Sequence, residues 1–217
     1  MPWNRKAALC EICENKLTLP GPLICQRCGV VLKSGGAHCF HCRGSKEKQF
    51  KCKVIRSACN FNEVSRSLVY ALKYQGCDYV APYMGNLMAQ RFSMLEELAQ
   101  SQVVIPVALY KSRFRKRGYN QSELLARAFC KKTGMVLDTT TLVRVRDTQS
   151  QTKLGRPARL KNMANAFQVQ NPANIKGKIV LLMDDVVTTG ATLEGCAQAL
   201  RCAGAKRVLA FTFAREN

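Results

Sequence analysis

Two carboxylates stand side by side at Asp184 and Asp185, and a run of small and hydroxyl residues follows at Thr188, Thr189, Gly190, Ala191 and Thr192. A loop that opens a helix offers unpaired backbone N–H groups and the positive end of the helix dipole. Gly190 lets the backbone come close, and the three threonines add hydroxyl donors, so the loop reads as a cradle for a phosphate monoester. Carboxylates just upstream repel that phosphate and must face another part of the ligand. The vicinal hydroxyls of a sugar suit them, directly or through Mg²⁺. Together these residues read as a ribose 5-phosphate site. The plain alternative is a buried strand that ends in a solvated acidic turn.

The elements that must position these groups are legible on either side. Ile179 to Met183 is an unbroken apolar run preceded by Gly177, which predicts a strand buried on both faces of a parallel sheet. Leu193, Ala197 and Leu200 recur at helical spacing after the loop. The unit is strand, acid pair, small-residue loop, helix. Neither G-x-x-x-x-G-K-[S/T] nor G-x-G-x-x-G occurs in the chain.

A second cluster lies between Ile105 and Gln121. The segment Pro106, Val107, Ala108 and Leu109 leaves a short buried strand at its carboxyl end, where open α/β sheets bind ligands. Lys111, Arg113, Arg115, Lys116 and Arg117 then place five positive charges in seven residues. A helix is predicted over 120–132, with Leu124, Leu125, Ala128 and Phe129 facing inward. A charge run of this kind is often only a solvated face; its place after a ligand-facing strand end favours a functional reading.

Seven of the twelve cysteines fall within residues 1–53. Cys10 and Cys13, then Cys25 and Cys28, are two C-x-x-C knuckles, and four thiolates make a closed tetrahedral structural Zn²⁺ site. Cys39 and Cys42 form a third pair, with Cys52 ten residues later. A second metal at these three would need a fourth ligand from His38, His41 or Cys59. Alternatively the third pair, not the second, completes the first site, and the spacing leaves both arrangements open. Cys77, Cys130, Cys196 and Cys202 read as small core residues.

The 217 residues fit one α/β domain and a small module, and 47% apolar residues suffice for a core. The expected organisation is a cysteine-rich zinc-binding module at 1–53 and an α/β domain at 54–217. Strands are predicted at 54–61, 103–107, 178–184 and 208–213, with edge strands at 141–145 and 166–169 and helices at 64–75 and 82–99. Their alternation predicts a mostly parallel sheet with helices on both faces. A net charge of +20 points to a polyanionic partner. No stretch reads as a membrane span and the N-terminus lacks an apolar leader, so a cytoplasmic location is expected.

The Asp184–Thr192 segment resembles the phosphoribosyl pyrophosphate signature of type I phosphoribosyltransferases. The run Arg117-Gly118-Tyr119-Asn120-Gln121-Ser122-Glu123-Leu124-Leu125-Ala126 resembles the ComF family of competence and DNA-utilisation proteins. Thr148, Gln151, Leu154, Arg159, Asn162, Ala166 and Phe167 fit that family's later pattern, as do the knuckles. Ala108 departs from it where a second proline is usual, and only Cys52 remains of a fourth cysteine pair.

The resemblance implies a type I phosphoribosyltransferase fold that binds phosphoribosyl pyrophosphate with Mg²⁺, alongside a structural zinc. Asp184 and Asp185 are expected on the ribose hydroxyls, and Thr188 to Thr192 on the 5-phosphate. The Pro106–Leu109 turn is expected on pyrophosphate through its backbone N–H groups, with Arg113 and Arg117 clamping its charge. Single-stranded DNA is the expected polyanion, met by Lys111, Arg115, Lys116, Tyr119, Lys153, Arg156 and Arg159; other competence proteins are expected partners. The resemblance leaves two functions open, a phosphoribosyltransferase or a non-enzymatic DNA-handling adaptor whose site is a sensor or a relic.

Overall fold

A computed structural model describes residues 9–33, 35–43, 50–147, 163 and 165–216. In chain order its strands are β1 (Cys52–Asn60), β2 (Val103–Pro106), β3 (Leu142–Arg144), β4 (Phe167–Val169), β5 (Ile179–Val187) and β6 (Arg207–Arg215). Its helices are α1 (Glu11–Glu14), α2 (Phe40–Arg43), α3 (Glu63–Tyr74), α4 (Ala81–Phe92), α5 (Lys111–Arg117), α6 (Gln121–Thr133) and α7 (Ala191–Cys202).

Among the described residues, β1, β6, β5 and β2 form one sheet in that order, with every pairing parallel. Alternate side chains of the buried strands serve opposite faces, as the two-residue period requires. Leu181 and Met183 pack with Leu209, Phe211 and Phe213 against Leu72 of α3, Met84 and Met88 of α4, and Leu125 and Phe129 of α6. Val180 and Leu182 pack on the other face with Ile55, Ile105, Val208 and Ala210 against Leu193, Cys196, Ala197 and Leu200 of α7. This is the mostly parallel, two-faced architecture that the alternation of elements predicts.

Four elements differ from expectation. The helix predicted over 82–99 ends at Phe92, where Met94 and Leu95 donate to the carbonyls of Arg91 and Phe92 in tightened turns. A short 3₁₀ turn at Glu96–Leu98 then brings Leu98 into the core ahead of β2. The strands β3 and β4 do not edge the main sheet; they pair with each other as an antiparallel ribbon. Finally, β5 runs past its apolar stretch to Val187, so the acid pair lies within the strand rather than after it.

The cysteine-rich segment lies along the outer side of β1. Ile55 N–H donates to the Arg27 carbonyl (2.7 Å), and Asn60 N–H donates to that of Thr18 (3.0 Å). Gly29 has φ +72°, and a Cβ there would meet the Ile55 carbonyl oxygen at 2.6 Å, so only glycine permits the approach. No described helix is long and apolar enough to cross a membrane.

Candidate functional site

Asp184 and Asp185 sit near the carboxyl end of β5, 8% and 2% exposed. Ser122, in the first turn of α6, donates its hydroxyl to Asp184 Oδ1 (2.7 Å). The Asp185 N–H donates to the same oxygen (2.9 Å). Lys73, near the end of α3, forms an ion pair with Asp185. Burial, then the neighbouring Asp185, push the Asp184 carboxyl up to about 7. Burial pushes Asp185 up as well, but the Lys73 ammonium outweighs it and holds Asp185 below the ordinary carboxylate range. Two adjacent acids thus have unequal characters, one firmly ionised and one able to carry a proton near neutral pH.

Thr188, Thr189 and Gly190 form the turn between β5 and α7, and Ala191 and Thr192 open α7. Gly190 takes the left-handed conformation (φ +78°) as the N-cap and supplies no side-chain cap. Thr189 Oγ1 accepts from the Ala191 N–H at 3.4 Å, and Glu194 N–H donates to the Gly190 carbonyl (2.9 Å). The turn therefore has the composition and position that an anion at a helix N-terminus requires.

Pro106 is opposite Met183 in the β2–β5 register, so the second turn lies beside the acid pair. Its backbone is only partly open to a ligand. Pro106 has no N–H, and the Val107 N–H is committed to the Met183 carbonyl (2.9 Å). Asn120 fixes the turn by donating its amide to the Val107 carbonyl (3.0 Å) while its Oδ1 caps Ser122 N–H (3.1 Å). Ala108 and Leu109 are left as the turn's candidate backbone donors.

The basic run beyond it forms α5. Arg113 and Arg117, four residues apart, are half-buried, whereas Lys111, Arg115 and Lys116 are exposed. The Arg117 guanidinium bonds Gln121 Oε1 and lies 5.8 Å from the Tyr74 ring centroid. Arg113 lies close enough to Arg144 that, after burial, it is the largest influence lowering that group.

Tyr119 has a structural role in this structure. Its hydroxyl donates to the Leu72 carbonyl at 2.6 Å and its half-buried ring packs against the core. Lys153, Arg156 and Arg159 lie outside the described residues. Sequence reasoning missed Lys73 and Ser122 as site residues. For Lys73 the available signal was a cation immediately after the buried Leu72 at the end of an amphipathic helix.

The thiols gather differently from the first expectation. The ligand atoms of Cys25, Cys28, Cys39 and Cys42 lie within 4.8 Å of one another. Cys28 and Cys39 Sγ are 3.7 Å apart; a tetrahedral zinc with Zn–S near 2.3 Å sets thiolates about 3.8 Å apart, so the donor set fits. Cys10 and Cys13 are not members, which corrects both arrangements that the spacing left open. The reason is local: an Ile24–Val31 bridge closes the second knuckle, and Gln26 N–H reaches the Ala37 carbonyl (2.8 Å), folding the third knuckle back on it. The flanking Leu9 and Leu17 pack on the core of the α/β domain, with Cys10 left exposed and Cys13 half-buried. Cys52 is fully buried outside the group, its thiol directed at the Val54 carbonyl (3.7 Å) and pushed up chiefly by burial. His38 Nδ1 lies 3.9 Å from Cys25 Sγ, beside the cluster rather than within it.

Residues 115–217 match the family model described as the phosphoribosyl transferase domain. The DNA utilization protein YhgH of Salmonella typhimurium is 29% identical over 95% of this chain and 90% of its own length. The competence protein ComFC of Bacillus subtilis is 28% identical over 95% of this chain and 84% of its own. Among solved structures, the B. subtilis glutamine phosphoribosylpyrophosphate amidotransferase, complexed with ADP and GMP, aligns with 60% of this chain at 20% identity and a TM-score of 0.40. The chain spans 25% of that protein. The chain is thus a homologue, along nearly its whole length, of the DNA utilization and competence proteins, with a phosphoribosyl transferase domain in its carboxyl-terminal half.

Proposed function

We propose that the site binds phosphoribosyl pyrophosphate with Mg²⁺, and that the protein uses it in handling DNA. The observation that supports this reading is that the segments 106–109 and 188–192 lie at the carboxyl ends of the adjacent parallel strands β2 and β5, with the acid pair near the end of β5. The segment 188–192 takes the 5-phosphate, the acids take the ribose hydroxyls, and Ala108, Leu109, Arg113 and Arg117 take the pyrophosphate with Mg²⁺. Departure of pyrophosphate leaves positive charge on the ribose, which nearby carboxylate stabilises. A zinc ion on Cys25, Cys28, Cys39 and Cys42 holds the amino-terminal module. The exposed Lys111, Arg115 and Lys116 of α5 contact single-stranded DNA, consistent with the net charge of +20. Thiols used as metal ligands suit a reducing, cytoplasmic setting.

A second reading, ligand sensing without turnover, is favoured by the commitment of the Val107 N–H to Met183, which leaves the pyrophosphate turn few donors. Calorimetry with phosphoribosyl pyrophosphate and Mg²⁺ tests the ligand. Wild-type protein is expected to bind, and absence of binding would end the proposal. Pyrophosphate release in a single-turnover assay then separates enzyme from sensor.

A further inference from the structure

Arg27 lies between the two thiols of the second knuckle and reaches both the cysteine cluster and the phosphate loop. Its Nη1 is 3.6 Å from Cys42 Sγ. Its Nη2 pairs with Glu194 at 3.0 Å and donates to the Cys52 carbonyl at 3.3 Å. The guanidinium covers the Phe50 ring, 3.1 Å from its centroid. Glu194 stands in the first turn of α7, and its carboxylate also accepts from the N–H groups of Lys51 and Cys52. Both side chains of the ion pair are largely buried, 11% and 16% exposed. Arg27, Glu194, Thr189 and Gly190 line one cleft.

We propose that Arg27 is a positioning residue for the phosphate loop, so that the loop at 188–194 is held in shape only while the thiolate cluster is metal-bound. The proposal rests on the reading of that loop as a phosphate site. The chain of cause is short. The metal fixes the four thiolates, and the knuckle they form fixes Arg27. Arg27 neutralises Glu194 and anchors it, and with it the first turn of α7. Without Arg27, Glu194 is a poorly compensated carboxylate beside the loop, which repels a phosphate and moves toward solvent.

The test uses the full chain with Arg27→Met, Arg27→Lys and Glu194→Gln. Metal content, hydrogen exchange of the amides at 188–194, and calorimetry with phosphoribosyl pyrophosphate and Mg²⁺ are measured for each. Arg27→Met is expected to keep its metal, to lose protection across 188–194, and to bind the ligand on the order of tenfold more weakly. Arg27→Lys restores part of both, since it keeps the charge and loses the fork. Chelation should unprotect the same amides in wild-type protein and add little in Arg27→Met. Unchanged protection in metal-bound Arg27→Met, or in chelated wild-type protein, overturns the proposal. Should Arg27→Met not fold, Glu194→Gln decides: reduced protection is expected, and wild-type protection overturns the idea. If wild-type protein binds no ligand, the phosphate reading fails by itself, and hydrogen exchange still judges Arg27.

Discussion

Lys73 and Asp185 form an ion pair that joins the end of α3 to the acidic segment of β5. Removing the cation leaves a carboxylate that is 2% exposed without its charge partner. Lys73→Met is therefore expected to destabilise the fold by about 2–3 kcal/mol, a range lowered because the lysine is itself partly solvated. Asp185→Asn in the same chain should recover most of that loss. Chemical denaturation of both singles and the double measures the coupling, and additive losses would show that the pair is not coupled.

Asp184 carries a pH dependence of definite sign. Its carboxyl is pushed up to about 7 in the folded chain, chiefly by burial, whereas an unfolded aspartate titrates near 4. The folded state binds the extra proton between those values, so this contribution to stability is complete below pH ~4 and lost as pH rises through ~7. Asp184→Asn should gain on wild type by on the order of 2 kcal/mol between pH 5 and pH 8. Denaturant midpoints across that range check it; a constant difference would contradict the assignment.

The metal ligands are separable by substitution. Cys39→Ser should lower bound zinc from about one ion per chain, while Cys10→Ser should leave it unchanged. Metal analysis of purified variants distinguishes this cluster from one built on the first knuckle.

The outer face of α5 should dominate contact with single-stranded DNA. If about six phosphates are contacted, affinity falls by roughly 10²–10³ between 50 and 200 mM salt. Lys111→Glu with Lys116→Glu should reduce both the affinity and the slope. Fluorescence anisotropy over a salt series reads both, and a flat response removes the electrostatic basis of the proposal.

Tyr119→Phe should cost about 1 kcal/mol through the lost bond to the Leu72 carbonyl. DNA affinity should not change. A variant that is fully stable but weak in DNA binding would return Tyr119 to a stacking role.

The parts of the site that follow from local chemistry were legible in the sequence. An apolar run, two acids and a glycine-threonine loop specify their own strand, turn and helix. The partners of those acids were not legible, because Ser122 and Lys73 arrive from helices far along the chain. Tyr119 shows a related limit. Among basic residues it reads as a stacking surface, but its hydroxyl is satisfied by a carbonyl on another helix. The cysteines show a third limit. Three knuckles of identical spacing carry no pairing preference, and the choice falls to the Ile24–Val31 bridge and the turn that returns Ala37 to Gln26. The extent of α4 was overestimated because its apolar positions continue in a helical pattern past Phe92, whereas the chain must turn there to bring Leu98 inward.

The close approach of Gly29 to Ile55 bears on how the open side of β1 is covered. Among the described residues β1 has a paired neighbour on one side only, β6, and the backbone groups on its other side are a template for any extended chain. Arg27 and Thr18 of the cysteine-rich segment occupy that template at Ile55 and Asn60 without adding a strand. A shortened chain beginning at β1 should therefore self-associate through it, and a bulkier residue at Gly29 should promote the same association by lifting the knuckle away.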